Sequence, residues 1–231
     1  MLKLTYVFIC TLVIASIDVP RLCGQVGLSC ATLNDPTALN VELIHEGSPG
    51  ESREIRDAPH SAIRLDRHTL KVRWQGGERV FRDRPPFDEP LDGIEWAYCG
   101  YNPQMKMHLI GKQNVDVFTG VLLNDLTGDL LQAGETVVFS PDQRLYLAYE
   151  QPDGQDGPTI KMFTRTGSLL WKGYDGLLSE DGIDVIADFD RVWWSGNDHL
   201  VAEYAVAGRA QKVILVKSGT GKWVWKENGT E

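Results

Sequence analysis

The residues of this chain best suited to chemistry are carboxylates in two turn-rich stretches. Asp153 and Asp156 lie three apart in Gln151-Pro152-Asp153-Gly154-Gln155-Asp156-Gly157. Asp175, Glu180, Asp181, Asp184, Asp188 and Asp190 crowd the stretch after Gly173. Two carboxylates converging on a cleft, one with a raised pKa, can hydrolyse a glycan or a peptide as general acid and base. Hard carboxylate oxygens also suit calcium. The first stretch, however, lacks the Asp-x-Asp-x-Asp-Gly order, and the second has no regular ligand spacing. The plainer reading is that Asp and Gly make turns and that acidic edges keep strands from pairing with other chains. No cofactor is expected, and calcium is the one candidate.

Other chemistry finds less support. Gly-x-Ser-x-Gly is absent, which removes a nucleophile elbow. His45-Glu46 has no second histidine four residues on, so the zinc-protease motif is missing. Gly219-Thr220-Gly221 lacks the third glycine of a dinucleotide loop and stands between strands. The five histidines are scattered, without metal-ligand spacing, so no metal site is expected. Among the seven tryptophans, Trp193 and Trp194 are adjacent and must face opposite sides of a strand. One can fill the core while the other faces outward, or both can pack between sheets as aromatic residues of β cores do. We take Trp194 as the candidate contact residue beside the acidic loops.

The N-terminus has the three parts of an export signal. Lys3 supplies the positive region, Leu4 to Ile17 an apolar run, and Ala15-Ser16 small residues. The run is shorter than the roughly 20 residues a membrane-spanning helix needs. Cleavage fits before Ser16 or between Gly24 and Gln25, and an uncleaved anchor is the alternative. Of four cysteines, the later cut leaves Cys30 and Cys99, which an oxidising compartment would join. The expected location is the periplasm or the extracellular space, with no stable membrane span once the signal is removed. The formal net charge is −9, and losing Lys3 and Arg21 against Asp18 makes it more negative. An acidic chain without clustered positive charge is a poor partner for nucleic acid.

The elements that must position these residues are strands. Ile63, Leu65, Leu70, Val72 and Trp74 alternate with charged residues, and Gly76-Gly77 turns the chain into Val80-Phe81, a hairpin signal. Three prolines between Arg84 and Pro90 mark a loop. Trp96 to Cys99 and Met105 to Ile110 read as strands. Asn114 to Glu150 reads as one four-stranded unit, and Ile160 to Ala205 as a second, looser one. Lys212 to Val216 and Lys222 to Trp225 begin a third that the chain does not finish. No helical periodicity longer than two turns is present. Residues 31–60 read as loops around one strand near Leu39 to Ile44.

Three turns repeat one phrase: Thr127-Gly128, then Thr166-Gly167 with Trp171-Lys172, then Thr220-Gly221 with Trp225-Lys226. Phe139-Ser140-Pro141-Asp142 forms a further turn, and Ser195 aligns with Ser140. The Ser-Pro-Asp turn resembles blades of bacterial WD-repeat-like propellers. The Thr-Gly-x-x-x-Trp-Lys phrase resembles the tryptophan-docking turn of quinoprotein-type propellers, where the Trp packs between neighbouring blades. The chain also resembles uncharacterised exported bacterial proteins with the same Phe-Ser-Pro-Asp centre. The resemblance covers residues 114–227. It implies an all-β fold, an antiparallel, repeat-built small or partial propeller-like domain, with a β-sandwich as the alternative. Gly128, Ser140, Asp142, Gly167, Trp171, Gly221 and Trp225 are its structural residues. Trp-Asp and Gly-His pairs are absent, and the chain is too short for a quinone-dependent dehydrogenase.

The expected organisation is a signal peptide at 1–24, a loop-rich segment at 25–60 and a propeller-like domain at 61–231. The expected function is a non-enzymatic exported binding module, an inhibitor, immunity protein or scaffold, that contacts another exported or envelope protein. Asp153, Asp156, Asp175, Asp181, Asp184 and Trp194 would carry the contact. The alternative is a hydrolase using the same loop carboxylates.

Overall fold

The structure, a computed structural model, describes residues 27–33, 41–43, 49–58, 61–86, 93–114, 117–150, 159–174, 177–178, 184–185, 189–206 and 209–227. The expected export signal lies outside them. Three short strands come first: β1 (Gly27–Ser29), β2 (Ala31–Leu33) and β3 (Val41–Leu43). Helix α1 (Pro49–Asp57) follows. The first sheet is β4 (Ala62–Asp66), β5 (Thr69–Trp74) and β6 (Gly77–Arg82). The second is a meander of β7 (Glu95–Asn102), β8 (Met107–Asn114), β9 (Val117–Asn124) and β10 (Leu130–Ala133). The third runs through β11 (Thr136–Phe139), β12 (Leu145–Glu150), β13 (Thr159–Thr164) and β14 (Leu169–Tyr174). After a short pair, β15 (Leu177–Leu178) and β16 (Asp184–Val185), comes the fourth. It contains β17 (Phe189–Trp194), β18 (Leu200–Val206), β19 (Arg209–Lys217) and β20 (Trp223–Glu227). Among the described residues every strand pairing is antiparallel, and no sheet closes on itself.

Period-two alternation builds each sheet, and both faces of the inner sheets are apolar. Leu70, Val72 and Phe81 of the first sheet pack with Tyr98, Ile110 and Leu123 of the second. Ala97, Leu109 and Leu122 on the opposite face of the second meet Val137, Phe139, Tyr146 and Phe163 of the third. Val138, Leu147, Ile160 and Met162 on the other face of the third meet Trp194, Leu200 and Leu215 of the fourth. The sheets therefore stack in chain order.

Two expectations are corrected. Asn114 to Glu150 is not one unit, because β9 and β10 complete the sheet begun by β7 while β11 and β12 open the next. The repeat is phased two strands earlier than the turns suggested, and the last strands complete a sheet with β17 and β18. Residues 49–57 are helical. Pro49 presets the first turn, and Glu51 near the start and Arg56 near the end match the helix dipole. The Glu51 carboxylate is buried, receives two guanidinium N–H groups of Arg64 at 2.9 and 3.0 Å, and accepts the Tyr98 N–H at 2.9 Å.

The N-terminal segment is tied into the stack. β1 pairs with the edge strand β11, Leu28 opposite Val137. Cys30 and Cys99 form a disulfide with Cα atoms 4.8 Å apart, joining this segment to β7. Both cysteines are buried.

The repeated turns share a left-handed glycine. Gly128, Gly167 and Gly221 hold φ of 75°, 88° and 82°. Their amides donate to Asn124, Thr164 and Ser218 carbonyls at 2.8, 2.9 and 2.8 Å. Side-chain oxygens of the same three residues cap amides within each turn. Asn124 to Gly128 spans one residue more than Thr164 to Gly167 or Ser218 to Gly221, and the settings differ too. A Cβ on Gly128 would lie 2.6 Å from the Trp74 indole, whereas one on Gly221 would meet nothing nearer than Lys217 at 3.9 Å.

Both Gly128→Ala and Gly221→Ala incur the left-handed penalty of about 1–2 kcal/mol. Gly128→Ala must in addition displace an indole. Urea denaturation should show it costing at least about 1 kcal/mol more than Gly221→Ala. Replacing Cys30 and Cys99 together by serine opens a cross-link with a sequence separation of 69. It should lower stability by about 4 kcal/mol, read in the same assay.

Candidate functional site

Most of the sequence-predicted contact residues fall where nothing structural is described. Asp153, Asp156, Asp175 and Asp181 lie outside the described residues, and Asp184 is placed only through the backbone pairing of β16, opposite Leu178. Trp194 is described, and it is not an outward contact residue. It is 3% exposed, sits against the third sheet, and donates its indole N–H to the Val138 carbonyl at 3.1 Å. The outward member of the pair is Trp193, with the Lys212 ammonium 5.5 Å from its ring centroid. The alternation argument holds for the pair, and the interface between sheets takes the residue whose N–H finds a buried acceptor.

The structural residues fall at the turns and junctions. The Ser140 hydroxyl donates to the Asp142 carboxylate at 2.7 Å and accepts the Leu145 N–H at 3.0 Å, closing the β11–β12 hairpin. Hydrogen bonds from Ser140 and from the Arg144 amide hold the Asp142 carboxyl below its usual range, against a desolvation effect that acts the other way. Trp171 of the third sheet meets Trp225 of the fourth edge-on, with centroids 5.8 Å apart.

The β5–β6 hairpin grips the Gly128 turn of the next sheet. Trp74 packs on Gly128, Arg79 donates two N–H groups to its carbonyl at 2.9 and 3.1 Å, and the Gln75 N–H reaches the Asp125 carbonyl at 2.8 Å. Beneath this turn lies a cluster of titratable groups that sequence reasoning missed. Tyr101 and His108 are cross-strand partners whose rings stack at 4.5 Å. The Tyr98 hydroxyl is 3.0 Å from His108 Nδ1, and His108 Nε2 is 3.5 Å from Asp125 Oδ1. The Tyr101 hydroxyl donates to the other Asp125 oxygen at 3.1 Å. A histidine protonated on Nε2 faces Asp125 with its N–H and accepts from Tyr98 at Nδ1.

Burial sets the protonation states. It holds the His108 pKa below the usual value, although Asp125 pulls the other way. Burial also pushes Tyr98 well above the usual phenol value, helped by the nearby charges of Glu54 and Asp125. Both side chains are sealed from solvent. The cluster can orient a turn and store a proton-linked stability term, but its inner hydroxyl reaches no substrate. A lone histidine between Met107 and Leu109 was its one sequence signal.

A second described feature is exposed. Leu126 in the Gly128 turn, Leu130 on β10, and Leu169 and Leu170 on β14 are large aliphatic side chains in water. β10 and β14 are the outer edges of adjacent sheets. They converge where Leu131 packs on the Gly167 turn, its Cδ2 3.1 Å from where a Cβ on Gly167 would lie. Soluble edges normally carry charge rather than leucine.

Among the described residues no group of three His, Cys, Asp or Glu side chains is placed to hold a metal ion. Nor is any helix there long and apolar enough to cross a membrane. No family model matches the chain, and no curated protein matches it. A solved structure of KlHsv2 with loop 6CD replaced by a Gly-Ser linker is similar at 12% identity. The match covers 73% of this chain and 69% of that one, with a TM-score of 0.31, and at that score carries no argument.

Glu135 gives the stability a pH dependence. Burial alone lifts its carboxyl to about 7. The native state then holds a proton that the unfolded chain releases above its ordinary value of 4.5. Stability from this residue rises as pH falls from about 7 towards 4.5. His108 acts with the opposite sign. Its native pKa is depressed, so stability is lost as pH falls through the unfolded value of 6.5. Glu135→Gln should therefore stabilise the protein by roughly 2–3 kcal/mol at pH 8, with little gain at pH 4. Denaturation midpoints across that range measure it, and equal midpoints for variant and parent at pH 8 would refute the assignment.

Proposed function

We propose that this chain is an exported, non-enzymatic binding module with a propeller-like scaffold, which contacts another exported or envelope protein. The observation that carries the reading is the leucine rim. Leu126, Leu130, Leu169 and Leu170 are exposed on the outer edge strands of two adjacent sheets and on the turn that leads into one of them. Exposed aliphatic patches of this kind on edge strands mark surfaces that other proteins cover. Serial stacking in chain order favours a propeller over a sandwich, because a sandwich buries one face of each of two sheets. The Trp74, Leu131 and Trp171 contacts with the next sheet supply the inter-blade packing that the repeated turns resemble. The disulfide favours an oxidising compartment. Inhibitor, immunity protein and scaffold all remain open within this class.

The test is an affinity pull-down of the oxidised, tagged protein against envelope and culture-supernatant fractions, read by mass spectrometry. The expected outcome is one stoichiometric partner, lost with Leu169→Asp and Leu170→Asp in a variant whose melting temperature is unchanged. A partner retained by that variant would displace the rim from this role. No partner at micromolar protein, together with turnover of a glycan or peptide that depends on the loop carboxylates, would replace the binding reading with the hydrolase.

A further inference from the structure

The junction between the first and second sheets holds a titratable ring. His108 is the one histidine among the buried side chains of the described residues. On β8 it shares a face with Ile110, which packs with Leu70, Val72 and Phe81 of the first sheet, while Leu109 between them faces the third. Around it stand Tyr98 and Tyr101 on β7 and Asp125 in the β9–β10 turn. Arg79 on β6 holds the same turn, and the charge of Glu54 on α1 reaches Tyr98.

The hydrogen bonds suit a neutral imidazole and not an imidazolium. His108 Nδ1 lies 3.0 Å from the Tyr98 hydroxyl and accepts its proton. An imidazolium donates from both nitrogens. The Tyr98 oxygen would then have to accept, leaving its own hydrogen sealed from solvent with no second partner among the described residues. At the other side of the ring, Nε2 has no hydrogen bond and lies 3.5 Å from Asp125 Oδ1. A charged ring gains there only by drawing that carboxylate closer. Asp125 is tied on every side. Its other oxygen accepts the Tyr101 hydroxyl at 3.1 Å, its N–H donates to the Lys106 carbonyl at 2.8 Å, and its carbonyl accepts the Gln75 N–H at 2.8 Å. The last of these fastens the first sheet to the second.

We propose that protonation of His108 opens the end of this junction where the β5–β6 hairpin grips the Gly128 turn, and leaves the opposite end closed. Moving Asp125 toward the ring withdraws the carbonyl that holds Gln75 and shifts the turn on which Trp74 and Arg79 rest. The opposite end is held by carboxylates with partners of their own. Glu51 binds Arg64 and the Tyr98 N–H, and Asp83 accepts the Trp96 N–H at 2.8 Å with His68 Nδ1 3.4 Å away. A proton on His68 strengthens its pairing with Asp83, so acid acts with opposite signs at the two ends. Burial keeps the closed His108 ring neutral, while the opened ring takes a proton at its ordinary value of 6.5. Opening therefore increases as pH falls below that value, by up to about tenfold per unit. The inference does not depend on the binding reading.

Amide exchange of the oxidised full chain, followed residue by residue by NMR and corrected for its intrinsic pH dependence, tests the proposal. Between about pH 7 and pH 5 the Gln75 and Gly128 amides should lose protection roughly ten- to thirtyfold. Those of Trp96 and Tyr98, and those of the third sheet, should keep theirs. His108→Gln, which has no proton to gain, should show no such loss. Glu54→Gln and Glu135→Gln remove the two carboxyls that burial raises, and should leave the loss unchanged. Nitrogen-15 shifts of the His108 ring in the parent protein, at about pH 7, should show a neutral ring protonated on Nε2. Constant protection of Gln75 and Gly128 would overturn the proposal, as would an equal loss in every sheet or a loss that His108→Gln retains. If that variant does not fold, the ring shifts of the parent decide: an imidazolium, or a ring protonated on Nδ1, would equally refute it.

Discussion

Everything in this structure depends on sheets that are apolar on both faces. A strand with one wet face needs one partner layer, and a two-layer sandwich satisfies it. The second and third sheets need two. Tyr98, Ile110 and Leu123 on one face of the second sheet, and Ala97, Leu109 and Leu122 on the other, all have to leave water. Burying each large side chain contributes about 1.5–3 kcal/mol, far more than a turn or a surface ion pair can. Stacking in series is the response, and short connections make the order in space follow the order along the chain.

What adjusts the spacing between layers is the interlock of a turn with an indole or leucine. Trp74 against Gly128 and Leu131 against Gly167 place a bulky side chain where a Cβ would otherwise stand. Glycine at these positions serves the left-handed backbone and the close approach together. Trp171 instead meets Trp225, and the turn beyond it at Gly221 is left open. The Arg64 guanidinium adds a different fastening. It joins the helix, through Glu51, to the Trp96 carbonyl at the start of the second sheet.

Much of this was legible in the residues, but unevenly. Alternation from Ile63 to Phe81 marked a hairpin because one face of the first sheet remains polar enough to show a period. The Thr-Gly turns were visible because their backbone needs glycine. The phase of the repeat was hidden, since Ala133-Gly134-Glu135 crosses between sheets in as few residues as a hairpin uses. Helix α1 was missed because its nine residues are held by a buried carboxylate and not by an apolar stripe. The Tyr98, His108 and Asp125 cluster could not be read at all. Its members meet only after strand register and a bulge between Tyr98 and Gly100 have been fixed. Trp194 was read with the wrong sign, because adjacent tryptophans announce that one is buried without saying which.

The pairing of β1 with β11 bears on the order in which the molecule can be assembled. Ser29 and Thr136 touch through their hydroxyls across 107 positions of sequence. A chain made from its N-terminus presents Leu28 well before its partner strand, which comes only after the second sheet has passed. The first strand to emerge is thus among the last to find its place. The cysteine that follows it meets Cys99 on β7, which precedes β11 in the chain, so the cross-link can hold this segment beside the second sheet before β11 arrives. The β11 edge of the third sheet is thus closed by a strand that the disulfide already tethers to the second.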